Sequence, residues 1–197
     1  MNWMDKLERK FGRFGIENLT VYVIICYVVG YVLMYLNPSL LNMMSLDVAK
    51  IMQGQIWRLV TWVIYPPSTG NFILFLISIA FFYYPVGTSL ERTWGSFRYT
   101  LYIFSGLLFV LIAAFITYFA TGGYVVVDGI AYVIGGGIFT TYYVSLSVFL
   151  AYAASYPDMQ ILLYFVIPIK MKWMAGVYVA IVLYQMITYL RAGLWVM

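Results

Sequence analysis

Five apolar runs, each close to 20 residues long, leave this chain few ways to fold. They cover residues 18–35, 72–90, 98–119, 138–156 and 173–190. A helix of about 20 apolar residues crosses the hydrocarbon core of a bilayer, where its backbone N–H and C=O groups must pair within the helix. The sequence therefore predicts an all-α polytopic membrane protein with five clear spans, in a single domain over residues 1–197.

The composition excludes several other classes of protein. With 64% hydrophobic and 9% charged residues, the chain has too little polar surface for a soluble globule. The net charge of +4 comes from basic residues at the ends of the apolar runs, so we expect no nucleic-acid partner. The chain has no histidine, its seven acidic residues are dispersed, and its one cysteine, Cys26, lies in an apolar run. We therefore expect no metal site and no cofactor.

The basic residues predict an orientation in the membrane. Residues 1–15 mix basic and apolar side chains at helical spacing, which indicates an amphipathic helix on the membrane surface. On the side of this helix, eight basic residues are expected: Lys6, Arg9, Lys10, Arg13, Arg92, Arg98, Lys170 and Lys172. The other side holds Lys50, Arg58 and Arg191. By the positive-inside rule, the N-terminus is predicted to be cytoplasmic and the protein to lie in the cell membrane.

Two connections are too apolar for free loops. Residues 38–70 combine polar side chains such as Asp47 and Arg58 with the apolar stretch 59–65, so this first long loop is expected to dip into the membrane interface. The segment 161–169, "ILLYFVIPI", is too short to cross the membrane and contains Pro168. It is predicted to be an interfacial segment.

The turn between the second and third spans, "ERTWGSFR", concentrates charge in a chain that has little of it. Gly95 permits backbone angles that other residues avoid, and Ser96 is expected to cap the next helix through its hydroxyl. Glu91 lies near the membrane boundary, where an unpaired carboxylate is costly. Its expected partner across the turn is Arg98 or Arg92.

The spacing of residues in this region resembles a signature of the rhomboid superfamily. The residues that carry the resemblance are Gly87, Leu90, Glu91, Trp94, Gly95 and Arg98, with Trp57 and Arg58 upstream. The connection over residues 156–173 is similar to that of a subset from Gram-positive bacteria. The resemblance implies a rhomboid-like helical bundle with a membrane-dipping first loop and a sixth span, which is absent or truncated here.

Active members of that superfamily use a serine in Gly-x-Ser-Gly on the fourth helix and a histidine base. The nearest match here is Ser147, which Val148 follows in place of glycine. The positions of the supporting histidine and asparagine on the second helix fall on Phe75 and Ile79. The resemblance thus implies a pseudoprotease with no catalytic residue, which binds transmembrane helices of client proteins. The alternative is an intramembrane serine protease with Ser147 as the nucleophile and an unidentified or missing base.

Overall fold

The computed structural model describes residues 3–67, 71–127, 130–133, 139–163 and 167–191. The first half of the chain forms helices α1 Trp3–Phe11, α2 Leu19–Leu36, α3 Pro38–Met44, α4 Val48–Met52, α5 Arg58–Thr61, α6 Phe72–Ser78 and α7 Tyr84–Trp94. The second half forms α8 Ser96–Thr121, strands β1 Tyr124–Val127 and β2 Ile130–Val133, α9 Tyr142–Ser155, strands β3 Gln160–Leu163 and β4 Ile167–Lys170, and α10 Met171–Arg191.

Within the described residues, three helical segments are long and apolar enough to cross a membrane. They are Leu19–Leu36, Phe72–Trp94 and Ser96–Thr121. Two shorter apolar helical stretches follow, α9 and Met171–Tyr184 of α10. The predicted helical membrane class is therefore confirmed.

Two short segments between the long helices form strands, which the sequence did not predict. Strands β1 and β2 form one antiparallel hairpin, and β3 and β4 form another over the segment predicted to be interfacial. In each hairpin the two strands pair their backbone N–H and C=O groups with each other. A stretch too short to form a spanning helix satisfies its backbone groups in this way instead. Asp128 and Gly135 to Gly137, which the sequence places near the first hairpin, lie outside the described residues.

The second long helical segment is continuous but contains a π-helical turn at Ile79–Tyr83, between α6 and α7. Pro85 follows this turn in the first turn of α7. Proline has no N–H to donate to the carbonyl four residues earlier, and its ring crowds that carbonyl, which here belongs to Phe81. A widened turn immediately before the proline relieves the crowding.

The buried side chains form three clusters. One joins α2, α7, α8 and α9 and includes Leu90, Tyr99 and Phe149. A second packs the segment around α4 and α5 onto Ala114 of α8, chiefly through Trp62. In the third, Phe75 of α6 stacks on Tyr31 of α2, with ring centroids 4.0 Å apart. The long first loop is thus helical and packs on the spanning helices.

Candidate functional site

The turn between α7 and α8 follows the sequence prediction at one glycine and departs from it at the next residue. Gly95 has φ of 83°, a left-handed angle that favours glycine, as predicted. Gly95 itself is the N-cap of α8, and Ser96 is the first residue inside the helix. No side chain caps this helix end, so the predicted Ser96 cap is wrong.

Glu91 caps a helix instead of pairing with an arginine. Its Oε1 accepts a hydrogen bond from the backbone N–H of Leu19 at 3.3 Å, and its Oε2 accepts one from the Thr20 hydroxyl at 3.4 Å. Leu19 is the first residue of α2, where backbone N–H groups have no partner within the helix. A carboxylate beside this positive helix end is also favoured by the helix dipole. The predicted pairing of Glu91 with Arg98 or Arg92 is therefore wrong.

The Thr20 hydroxyl extends this contact to a third helix. It lies 3.1 Å from the hydroxyl of Tyr99 on α8. Thr20 has a single hydroxyl proton, so Glu91 Oε2 and the Tyr99 hydroxyl oxygen share it as acceptors. Glu91, Thr20 and Tyr99 thus link α7, α2 and α8 near one end of the bundle.

Arg98 and Trp94 make contacts of their own beside this network. Arg98 Nη2 lies 2.7 Å from Oε2 of Glu8 on α1, and its Nε donates to the same oxygen at 2.8 Å. The Trp94 ring meets Tyr102 edge-on, with centroids 5.3 Å apart. Arg98 therefore anchors the N-terminal helix, and Trp94 holds the end of α7 against α8.

Gly87 sets the distance between α7 and α2. It lies one turn before Glu91 on the same face of α7. A Cβ at Gly87 would stand 2.5 Å from Cγ2 and 2.6 Å from Oγ1 of Thr20, which is closer than any real contact. The absence of a side chain at Gly87 therefore allows Thr20 to approach, so that Glu91 can reach the N-terminus of α2.

We expect Glu91→Ala to lower the free energy of unfolding by about 1–3 kcal/mol, because Leu19 N–H and the Thr20 hydroxyl lose a buried acceptor. Glu91→Gln keeps an acceptor and the shape but loses the charge at the helix end, so it is expected to cost about 0.3–1 kcal/mol. Both are measured by denaturation of the purified protein in detergent. Glu17→Ala, at an exposed carboxylate, is the control and should change little. Equal stability of Glu91→Ala and wild type would contradict the capping role.

Of the predicted pair Trp57 and Arg58, the tryptophan lies at the surface and the arginine in the interior. Trp57 is 53% exposed, whereas Arg58 is 1% exposed. Arg58 Nη1 donates to the carbonyl oxygens of Asn42 and Ser45 at 2.9 and 2.8 Å, and Nε donates to Gln55 Oε1 at 2.7 Å. Arg58 therefore joins α3, α5 and the segment between them.

Ser147 has the environment of a structural hydroxyl. Its Oγ donates to the carbonyl of Val144 at 2.8 Å, and its own carbonyl accepts a hydrogen bond from Tyr102 at 3.0 Å. Phe75, at the position of the expected histidine, is buried against Tyr31. Ile79 lies in the π-helical turn. These residues are thus placed for packing.

The two lysines of the second half pair with a carboxylate beyond the end of α9. Asp158 Oδ1 lies 3.2 Å from Nζ of Lys172 and 3.4 Å from Nζ of Lys170. Hydrogen bonding and charge, first from Lys172 and then from Lys170, lower the pKa of Asp158. Ser147 lies about 12 Å along α9 from Ser155, the last residue of that helix. The lysines are therefore engaged at the end of α9, away from Ser147.

Two cavities, with no lining residue in common, accompany these contacts. The central cavity has a volume of about 310 Å³ and lies among α2, α7, α8 and α9. The groove, as we call the second, has a volume of about 560 Å³ and lies on α8. Its lining is Leu59, Leu108, Leu111, Ile112, Phe115, Ile116 and Phe119. Among the described residues, no group of three His, Cys, Asp or Glu side chains could hold a metal ion.

Several contributing residues were missed by the sequence analysis. Thr20 and Tyr99 complete the network of Glu91, and Trp62 is the buried tryptophan of the first loop, with its Nε1 donating to the Leu59 carbonyl at 3.1 Å. Gly30, where α2 approaches the backbone of Ile64, was also missed. The sequence held no signal for the Glu91 cap, because Asn18 is itself a preferred N-cap residue. In the structure Asn18 adopts a left-handed conformation and its side chain makes no capping hydrogen bond.

The family of this chain follows from comparison of its sequence with known protein families. A family model described as "Eukaryotic integral membrane protein (DUF1751)" matches residues 17–196. No curated protein and no solved structure matches the chain. The expected membership of a rhomboid subset from Gram-positive bacteria is therefore wrong: the family that matches nearly the whole chain is described as eukaryotic.

Proposed function

Since the chain belongs to this family of eukaryotic integral membrane proteins, matched over residues 17–196, we propose that it binds transmembrane segments of other membrane proteins without catalysis. The observation that carries the proposal is the groove on α8. Its lining is entirely apolar and runs from Leu108 to Phe119, about 16 Å along the helix. A client helix would place apolar side chains from successive turns into such a groove.

Helix α8 buries an unusually small share of its residues against the described part of the chain. In its most apolar 18-residue window 11% of residues are buried, compared with 28% in α2 and 22% in the Phe72–Trp94 segment. Helix α8 is also the longest of the three, with 26 residues. A long helix with so little of its surface covered has room for a partner along its length.

The chemistry of the groove indicates the kind of partner. None of the described residues that line it is charged or polar, so a client would be held by shape and dispersion forces. Leu59 on α5 forms part of the lining, and α5 belongs to the segment that Arg58 organises. The folded first loop therefore builds one side of the proposed binding surface.

Photocrosslinking in native membranes tests this function. A photoreactive amino acid replaces Ile116 in the groove or, as the matched control, Ile25, an isoleucine of α2 that lines neither cavity; these side chains are 62% and 51% exposed. Adducts with transmembrane peptides of other proteins are expected several-fold more often at Ile116. Equal yields at the two positions, or adducts with lipid alone, would overturn the proposal.

The finer topology belongs to the same proposal: five crossings in the cell membrane, with a cytoplasmic N-terminus. Contacts that support it bring basic segments to one end of the bundle. There Arg98 meets Glu8, the Thr93 hydroxyl meets that of Tyr156, and Asp158, two residues further on, pairs with Lys170 and Lys172. In a Cys26→Ser background, Lys6→Cys and Gln53→Cys are each treated with a membrane-impermeant maleimide from one side of the membrane at a time. The two introduced thiols should be labelled from opposite sides of the membrane. Labelling of both from one side would contradict this topology.

A further inference from the structure

The central cavity combines an apolar wall with hydroxyl groups and is separate from the groove. Phe82, Val144 and Phe149 supply apolar surface. Tyr27, Ser145 and six further residues supply hydroxyls: Thr20, Ser78, Tyr83, Tyr99, Tyr142 and Tyr178. None of the described residues that line it is charged. A volume of about 310 Å³ lies at the lower end of the range for sites that bind small organic molecules.

The hydroxyl groups of Tyr27 and Ser145, which line the cavity, use little of their hydrogen-bonding capacity. The oxygens of Tyr27 and Ser145 are 3.4 Å apart, whereas a good O–H···O bond is about 2.7–2.8 Å long. Thr141, one turn before Ser145 but not itself part of the cavity lining, has an Oγ1 that is buried without a hydrogen-bond partner among the described residues. Buried polar groups in a membrane domain are costly unless satisfied. The lining hydroxyls of Tyr27 and Ser145 therefore have hydrogen-bonding capacity left for the polar group of a ligand.

The cavity also has a route to the surface of the bundle. Tyr142 and Tyr178 line it and are 43% and 37% exposed. Tyr178 of α10 packs edge-on against Phe149 of α9, and Phe149 stacks on Phe82, each with ring centroids 5.5 Å apart. An apolar chain can thus leave the cavity between aromatic side chains toward the lipid.

From these observations we infer that the central cavity binds an uncharged lipid alcohol, with its hydroxyl at Tyr27 and Ser145 and its apolar body along Phe82 and Phe149. An alcohol both donates and accepts, as a cluster of hydroxyls requires. A charged head group would find no counter-ion among the lining residues and would be expelled by its desolvation cost. This inference does not depend on client binding at the groove.

The test uses the full-length protein in detergent and three diazirine probes with the same 16-carbon chain: the primary alcohol, its methyl ether and the carboxylic acid. The alcohol is expected to label peptides of α2 and α9 saturably. The ether, which cannot donate, should bind about fivefold more weakly, corresponding to the loss of one hydrogen bond. Equal labelling by the three probes, or no saturable labelling because the cavity takes up only water, would overturn the inference.

Matched variants locate the binding. Tyr27→Phe and Ser145→Ala each remove one hydroxyl with little change of shape, and each should weaken alcohol labelling about fivefold. The control is Tyr22→Phe, on the same helix but 56% exposed and outside the cavity, which should leave labelling unchanged. Unfolding in detergent verifies that each variant is folded. Unchanged labelling in folded Tyr27→Phe would overturn the site, whereas crosslinking at Ile116 reports separately on the groove.

Discussion

Replacing Gly30 with alanine is expected to lower the free energy of unfolding by about 3 kcal/mol or more, the upper range for overpacking. A Cβ at Gly30 would stand 1.9 Å from the carbonyl oxygen of Ile64. That oxygen is backbone, so it cannot move aside as the end of a side chain can. Helix α2 and the 3-10 turn Trp62–Ile64 would have to separate. The effect is measured by thermal or denaturant unfolding of the purified protein in detergent.

Gly106→Ala provides the matched control for this substitution. Gly106 is also a helical glycine, in α8, but a Cβ there would meet the methyl groups of Val144 at 3.5 and 3.6 Å, an ordinary contact. Alanine in a helix is intrinsically favoured over glycine by roughly 0.5–1 kcal/mol, so Gly106→Ala should be neutral or slightly stabilising. If Gly30→Ala and Gly106→Ala were equally stable, the close approach of α2 to Ile64 would be wrong.

Arg58→Ala is expected to have a comparably large effect, a loss of about 3 kcal/mol or more. The change removes the donors for the carbonyls of Asn42 and Ser45 and for Gln55 Oε1, and it leaves a cavity beneath the first loop. Each buried acceptor left without a partner carries its own desolvation cost. Denaturation in detergent gives the stability, and proteolysis within residues 38–61 reports on the loop directly.

Two further substitutions separate the geometry of Arg58 from its charge. Arg58→Lys keeps the charge but cannot reproduce the planar fork that reaches three acceptors, so it should recover only part of the stability. Lys50→Ala removes a basic residue of the same loop whose side chain is 49% exposed and lies 3.7 Å from Asp47. Exposed ion pairs contribute little, so this control should resemble wild type. A fully stable Arg58→Ala protein would show that the loop folds without these hydrogen bonds.

Stability also bears on the proposed function, because α5 contributes Leu59 to the groove. If Arg58→Ala releases the first loop, crosslinking at Ile116 should fall, while that at Ile25 should not. A destabilised loop therefore offers a way to relate folding of this segment to client binding.

The sequence predicted correctly those features that depend on a single continuous stretch of chain. The apolar windows indicated the long helices α2 and α8, and the glycine in "TWGS" indicated a turn with unusual backbone angles, which Gly95 adopts. It was a poor guide to partners. Glu91 and Arg98 are close in the chain, yet each finds its partner more than 70 residues away, at Leu19 and Glu8 respectively.

The remaining differences have the same origin. The buried state of Arg58 beside the exposed Trp57 depends on how three short helices of the first loop fold together, and no local pattern specifies that arrangement. The two β-hairpins lie in stretches whose hydropathy suits a helix or a strand equally, and they form because two neighbouring segments pair.

By itself, the sequence determined that this protein is a helical membrane protein, because burial of apolar side chains in lipid is summed along contiguous runs of residues. Only the tertiary structure decided which polar groups meet, which glycines are irreplaceable and where the two cavities lie. Those features depend on distances of a few ångströms between segments far apart in the chain. Glu91 at the N-terminus of α2, and Gly30 against the carbonyl of Ile64, exist only once the helices have packed.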